Sequence, residues 1–587
     1  MPYFRCPRSA VGGVMLALTK CGSVAGQTKD FYVFELPRHV KWEKHILATT
    51  VMQTLYDWDT LVLDEGARNL IAGGEASLCR NGLPCHLKVV GPGTLSPSSS
   101  SSLSCRVTDG CSGVELESLH VARERPVRGT DLLFNSGPPL KIFNCTLFGT
   151  SVKAEAAEVD VSYSSFVDCN FQLERGAGLS LSFSTFSGSS PVYLYLGSAA
   201  TVESCIFENI HGVMSGGAIR VVGSKLAAIN CVFKNCSSEE SGGAIHGEPL
   251  AHPEGEARTT ISISSSTFSG CAATTVGGAI STKASGTQLH VSSSTFTRCR
   301  SKNGGAIHTL SGSSITLSGS SFSECAATED GGAVGVVDGS LFVLEYSTFR
   351  ACTALGRAGA VFASGASARV FGCGFWGNSA GGLGGGAIYL SDIRNVVGRL
   401  ECHQNTALLG GGGVLMWDGD FSTEIADGGS SICVHDSNNR AGYGSVIASS
   451  FKLLKISGVP SLQSPAFAGV SFSLLLSKTD HYGQTIASDS SSLVQAKTSL
   501  GGALSSDNAV QLLGTIISVF QSGTATFDLS VKPTFSLFDE VSGSTRLLRP
   551  AQVYFEGTNA EGGGQMLSDV ASIPLSQNEA VCPPGKP

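Results

Sequence analysis

Residues able to do chemistry are few in this chain. Charged side chains make up only 15% of its 587 positions. Cleaving a glycoside needs two carboxyl groups that flank one bond. A Ca²⁺ site needs several oxygen ligands converging on one point. The acidic residues that could gather are Glu239 with Glu240, Glu329 with Asp330, Asp338, and Asp418 with Asp420. The first two pairs stand at equivalent places, just before a Gly-Gly. The equivalent places between them hold Thr274-Thr275 and Lys302-Asn303, so no stack of carboxylates is expected there. His246 and His308 each follow Gly-Gly-Ala-Ile, with Ser281 at the matching place between them. That separation is too long for a shared metal, and both read as outward polar strand positions. His252, with Glu248, Glu254 and Glu256, falls in the stretch Glu248 to Ala257. It reads as an inserted loop, where a binding function would be grafted. The expectation is a chain with no catalytic residues, no cofactor and no metal.

Nineteen cysteines add a second chemistry. Cys79 and Cys85 are six apart, as are Cys105 and Cys111, so each pair is a candidate local disulfide. No Cys-x-x-Cys pair suggests a metal. Cys236, Cys271, Cys299, Cys325 and Cys352 recur instead at long, regular distances. They read as an interior row of free thiols acting as small hydrophobes. An oxidised, secreted chain with some bridges is the alternative. Sequons at Asn144-Cys145-Thr146 and Asn235-Cys236-Ser237 are compatible with secretion.

The elements that carry these residues are set by a repeat. Phe207, Phe233, Phe268, Phe296, Phe322, Phe349 and Phe375 are separated by 26, 35, 28, 26, 27 and 26 residues. Each is followed by a Gly-Gly-Ala-Ile-like unit 8 to 10 residues later. The glycine pairs include Gly242-Gly243, Gly277-Gly278, Gly304-Gly305 and Gly331-Gly332. Between the copies, Thr260 to Ser264 and Ser314 to Ser318 alternate polar and apolar residues, which is strand periodicity. A unit of this length cannot bury both faces alone, but stacked coils can, at about 4.8 Å per coil. Phe and Ala-Ile then form interior rows, and Gly-Gly turns the corner. Ser164 to Cys169 and Ser184 to Gly188 carry the same signature at shorter spacing, so tight coils precede long ones.

Gly-Gly-Ala-Ile with Phe-x-x-Asn, here mostly Phe-x-x-Cys, resembles the repeat of the chlamydial polymorphic outer membrane proteins, also seen in protist surface proteins. The resemblance covers roughly residues 200–415. It implies a right-handed parallel β-helix and a role in adhesion and surface display. Asn survives at Asn378, and Cys replaces it in most copies. Asp480 to Gln484 with Gly523 to Phe527 is similar to an immunoglobulin-like module of such proteins. Cys582 to Gly585 resembles the opening of a cysteine-rich ectodomain repeat.

The fold expected is all-β: a solenoid on the order of 16 coils, followed by an antiparallel β-sandwich. The expected boundaries are a leader and cap over 1–55, with a helix around Val40 to Thr54, and a β-helix over 56–450. An immunoglobulin-like sandwich over 460–562 and a linker over 563–587 complete them. Arg5 and Arg8 before Val11 to Leu18 form a signal-peptide pattern. A net charge of −8 without a basic stretch argues against nucleic acid. Membrane association would come only through a part outside this chain. The function expected is a non-catalytic structural or adhesion protein, extracellular or at the cell surface, with a carbohydrate or protein ligand. The alternative is a polysaccharide lyase or glycoside hydrolase of the pectate-lyase-like fold.

Overall fold

The computed structural model describes short strands from residue 19 onward, and residues 133–250, 258–339, 341–391, 395–418, 432–460, 470–499 and 510–533 continuously; short strands follow up to 576. The helix and cap expected before residue 56, the side chains of Cys79, Cys85, Cys105 and Cys111, and the C-terminal Cys-Pro-Pro-Gly lie outside the described residues. So does 251–257, the body of the inserted loop. Backbone register does set Cys85 opposite Cys111 on neighbouring strands. The described elements are all β.

The chain forms two compact units. One comprises Met1–Thr328, Gly332–Thr348 and Ser364–Val370; the other comprises Glu329–Gly331, Phe349–Ala363 and Phe371–Pro587. In the first unit a coil is three strands, such as Leu140–Phe143, Thr146–Phe148 and Ser151–Glu155. Each pairs in parallel with its counterpart one coil on: Glu158–Ser162, Ser165–Val167 and Asn170–Glu174. This is the parallel solenoid expected from the repeat. Burial alternates along each strand, so one face fills the interior and the other meets solvent. From residue 211 a fourth, two-residue strand enters each coil. Examples are Ser237–Ser238, Ala272–Ala273 and Arg300–Ser301. It lies between the Phe and Gly-Gly positions and accounts for the longer coils.

Interior rows hold the stack together. Phe233, Phe268, Phe296 and Phe322 are fully buried and lie ring on ring, 4.7 Å apart and within 5° of parallel. That is the strand spacing carried into the side chains. The serines before each Phe form a second ladder: Ser266 N–H donates to Ser294 Oγ at 3.1 Å, and Ser294 N–H to Ser320 Oγ at 3.2 Å. At the corner, Gly277 has φ +63°, and a Cβ there would stand 2.1 Å from the Ile280 carbonyl. A Cβ on Gly278 would stand 2.2 Å from the carbonyl of Gly305 on the next coil. One glycine is needed for conformation and the other for approach.

The second unit holds further parallel coils and two antiparallel sheets. Ile388–Ser391, Leu415–Asp418 and Ile447–Ser449 pair in parallel. The disulfide Cys402–Cys433 joins neighbouring coils; the spacing of 31 residues gave no sign of it in the sequence. After it, Phe451–Ser457, Phe472–Asp480, Thr524–Pro533 and Val510–Gly514 form one sheet. Leu547–Thr558 leads the other, with Leu493–Ser499 and Ala571–Ser576 beside it. Leu474, Leu476, Phe527, Val553 and Phe555 pack between them.

Candidate functional site

The outer face of the Gly-Gly sheet in the first unit carries the densest chemistry. In strand Ser151–Glu155, Val152 and Ala154 point inward, so Lys153 and Glu155 point outward. Register then sets Lys153, Gln172, Tyr193, Arg220, His246, Ser281 and His308 in one column across successive strands. Glu155 is the register partner of Glu174, so two carboxylates do stand on adjacent coils. Lys153 Nζ lies 3.4 Å from Glu155 and 3.8 Å from Glu174, bridging them. Gln172 donates to Glu174, and Arg175 reaches Glu155 at 3.2 Å. Tyr193 and Tyr195 project from the following strand with rings 15° from parallel and centroids 6.1 Å apart. Both are half-buried, so each offers an aromatic surface beside hydrogen-bonding neighbours.

Beyond the tyrosines, Arg220 pairs with Glu248 at 2.6 Å, and His246 Nε2 stands 3.8 Å from the same carboxylate. His246 and then Arg220 pull the Glu248 carboxyl down to about 2, against the opposing effect of burial. Glu240 accepts from the Ser215 N–H and hydroxyl at 3.2 and 2.8 Å. Burial raises the Tyr195 phenol above its ordinary value. Among the described residues, the Nδ1 atoms of His246 and His308 and the hydroxyl of Ser281 have no hydrogen-bond partner.

These positions sharpen one sequence expectation and correct another. The histidines keep their outward strand positions but are buried, and the corner glycines leave them room: a Cβ on Gly216 would stand 3.1 Å from His246 Cβ, and one on Gly304 2.9 Å from His308 Cβ. Carboxylates of adjacent coils do meet, but in the short early coils, where no Gly-Gly marks the phase. The acidic pairs singled out from sequence behave differently. Glu239 stands 3.6 Å from exposed His211, and Asp330 pairs with Arg357 at 2.7 Å. Asp338 occupies an exposed turn with φ 48°. The Asp418 side chain, Asp420, His252, Glu254 and Glu256 lie outside the described residues. Cys236, Cys271, Cys299, Cys325 and Cys352 are buried and unbridged.

A second feature belongs to the other unit. A cleft of about 710 Å³ lies against its coils and its first antiparallel sheet, with Tyr389, Met416, Tyr443, Leu408, Phe451 and Ile486 in its wall. Arg357 sits over Phe362 and Tyr389 at 4.6 and 5.2 Å. Among the described residues no group of three or more His, Cys, Asp or Glu could hold a metal ion. No helix among them is long and apolar enough to cross a membrane.

Stacked parallel coils with side chains in register define a right-handed parallel β-helix. Residues 254–397 match a family model described as the right-handed β-helix region. No curated protein matches the sequence. Among solved structures, the chain is similar to the catalytic unit of a GH87 α-1,3-glucanase from Streptomyces thermodiastaticus. Identity is 14%, the TM-score is 0.35, and 57% of this chain is covered. The match spans 64% of that catalytic unit. It is similar also to the tailspike of E. coli bacteriophage HK620 in complex with a pentasaccharide. There identity is 11% and TM-score 0.29, over 81% of this chain and 85% of the tailspike. The tailspike protein 3 of bacteriophage CBA120 gives 12% and 0.30, over 73% and 64%. The expectation that the chain is not an enzyme is withdrawn, because its premise, a missing carboxylate stack, fails at Glu155 and Glu174, which are register partners on adjacent coils.

Proposed function

We propose that this chain is an extracellular carbohydrate-active β-helix protein that engages a polysaccharide along the outer Gly-Gly face of its first unit. One observation carries the reading: the lysine-bridged pair Glu155–Glu174 stands one strand from the Tyr193–Tyr195 rings and two from Arg220. The tyrosines supply apolar surface for sugar rings, with polar groups beside them to fix orientation. Arg220, held by Glu248, brings a guanidinium to the same face, and the donors Glu248 leaves open suit a second carboxylate, such as that of a uronate. Two carboxylates on adjacent coils are the pair of groups that glycoside cleavage employs. The Cys402–Cys433 disulfide supports an oxidising compartment, and the repeat's resemblance to surface proteins supports display outside the cell.

The test is a panel of neutral and uronate polysaccharides, with and without Ca²⁺, read by reducing ends and unsaturated products. Glu155→Gln and Glu174→Gln are each expected to lower product release roughly 100-fold or more. Tyr193→Ala with Tyr195→Ala should weaken binding while leaving the melting temperature near wild type. Absence of both binding and turnover across the panel would refute the reading.

A further inference from the structure

The corner between strands Leu140–Phe143 and Thr146–Phe148 is built by Asn144, with φ 52°. The same corner recurs as Tyr163, Phe183, Ser204, Asn230, Ser265 and Ser293, each with φ between 47° and 55°. Asn and small residues suit this left-handed conformation; Tyr and Phe do not. Tyr163 and Phe183 are also 57% and 52% exposed, and Phe143 is 45% exposed. The three rings form a ridge. Tyr163 and Phe183 are stacked at 5.1 Å, and Phe143 stands edge-on to Tyr163 at 5.8 Å. The rings stand at the surface on strained corners, a cost that an outside partner packed on them would offset.

That partner is attached next door. Asn144 begins Asn144-Cys145-Thr146, its side chain is exposed, and its backbone N–H donates to Ser162 O beside Tyr163. We propose that Asn144 is an N-glycosylation site and that the first sugars of its glycan pack on Phe143, Tyr163 and Phe183. In the transfer, the Asn144 amide nitrogen loses a proton and bonds to the anomeric carbon of a pyrophosphate-activated, lipid-linked oligosaccharide. The lipid pyrophosphate leaves with the bonding pair. Both sequon amides donate one bond at 3.1 Å, Asn144 to Ser118 Oγ and Asn235 to Asn209 Oδ1. The second differs in that its oxygen covers Gly270, at 2.5 Å from where a Cβ would stand, and in that its corner recurs as Asn209, Gly270 and Arg298, with no aromatic ring.

The proposal rests on the extracellular part of the preceding reading and not on polysaccharide turnover. Peptide mapping of the full chain from its own cells is expected to find a glycan on Asn144. Thr146→Ala, which leaves Asn144 in place, should abolish it. Enzymatic removal of the glycan should lower the melting temperature by about 2–4 °C in the wild type. It should not do so in Tyr163→Gly with Phe183→Gly, whose glycines suit the corner and add no sequon. An unmodified Asn144 would overturn the proposal, and so would an equal shift in both proteins. Neither result touches the polysaccharide assay, so the two failures stay distinct.

Discussion

At the fourth position of the repeat, two side chains satisfy the same backbone carbonyl. Cys271 and Cys299 point Sγ at the carbonyls of Phe233 and Phe268, at 3.5 and 3.8 Å. In the later coils Asn405 donates Nδ2 to Phe375 O at 3.0 Å, and its Oδ1 accepts from the backbone and side chain of Asn378 at 3.1 and 2.9 Å. A thiol is a weak donor, and a carboxamide both donates and accepts. Asn405→Ala strands several buried polar groups and should cost about 2–4 kcal/mol, whereas Cys299→Ala should cost about 1 kcal/mol. Denaturant melts of the two variants compare them directly, and equal losses would refute the account. The Cys-for-Asn exchange was legible in the sequence because it recurs in phase with Phe. Its energetic meaning was not, since the acceptor lies one coil away.

The corners are the element on which the coil depends. A Cβ on Gly277 meets a carbonyl at 2.1 Å in a conformation that L-residues avoid. Gly277→Ala should therefore destabilise the protein by at least about 2 kcal/mol, read as a fall in melting temperature. An Ala that leaves it unchanged would show that the corner can relax. Corners also explain what the sequence left hidden. Gly-Gly marks the phase of coils from residue 216 onward, so Phe, Ala-Ile and Cys could be set in rows by counting. The coils of 18 to 21 residues before it lack that mark. Glu155 and Glu174 are 19 apart in a stretch without it, and only strand register reveals them as neighbours. The burial of His246 and His308 stayed hidden for a related reason: counting places a side chain on a face but does not show what covers it.

For the whole molecule, acid should act in two pH windows: His308 of the first unit sets the upper one, and Glu248 of the first unit with Asp489 of the second sets the lower. Burial lowers His308 in the first unit from 6.5 to about 4. The unfolded chain then binds the proton first, so stability falls as pH drops from about 6.5 to about 4, by about 3 kcal/mol in total. In the second unit, Lys478 and Asp489 pair at 2.6 Å with no side-chain exposure. Burial alone would raise Asp489, but Lys478 and the Ser492 hydrogen bonds outweigh it and hold the carboxyl at about 2. Its stabilisation is complete above about 4 and is lost only as pH falls toward 2. Thermal melts between pH 7 and 2 check both windows. His308→Gln should remove the first decline and leave the second; a wild type equally stable at pH 7 and 4.5 would contradict the assignment.

The buried cysteines make the first unit self-reporting. Cys145, Cys169, Cys205, Cys236, Cys271, Cys299 and Cys325 fall on different coils of one unit, and each is buried and unbridged. An alkylating reagent reaches such a thiol only when its own coil opens. Pulsed labelling followed by peptide mass analysis therefore timestamps opening coil by coil, with no engineered probe. It would distinguish a solenoid that frays from one end from one that yields in the middle.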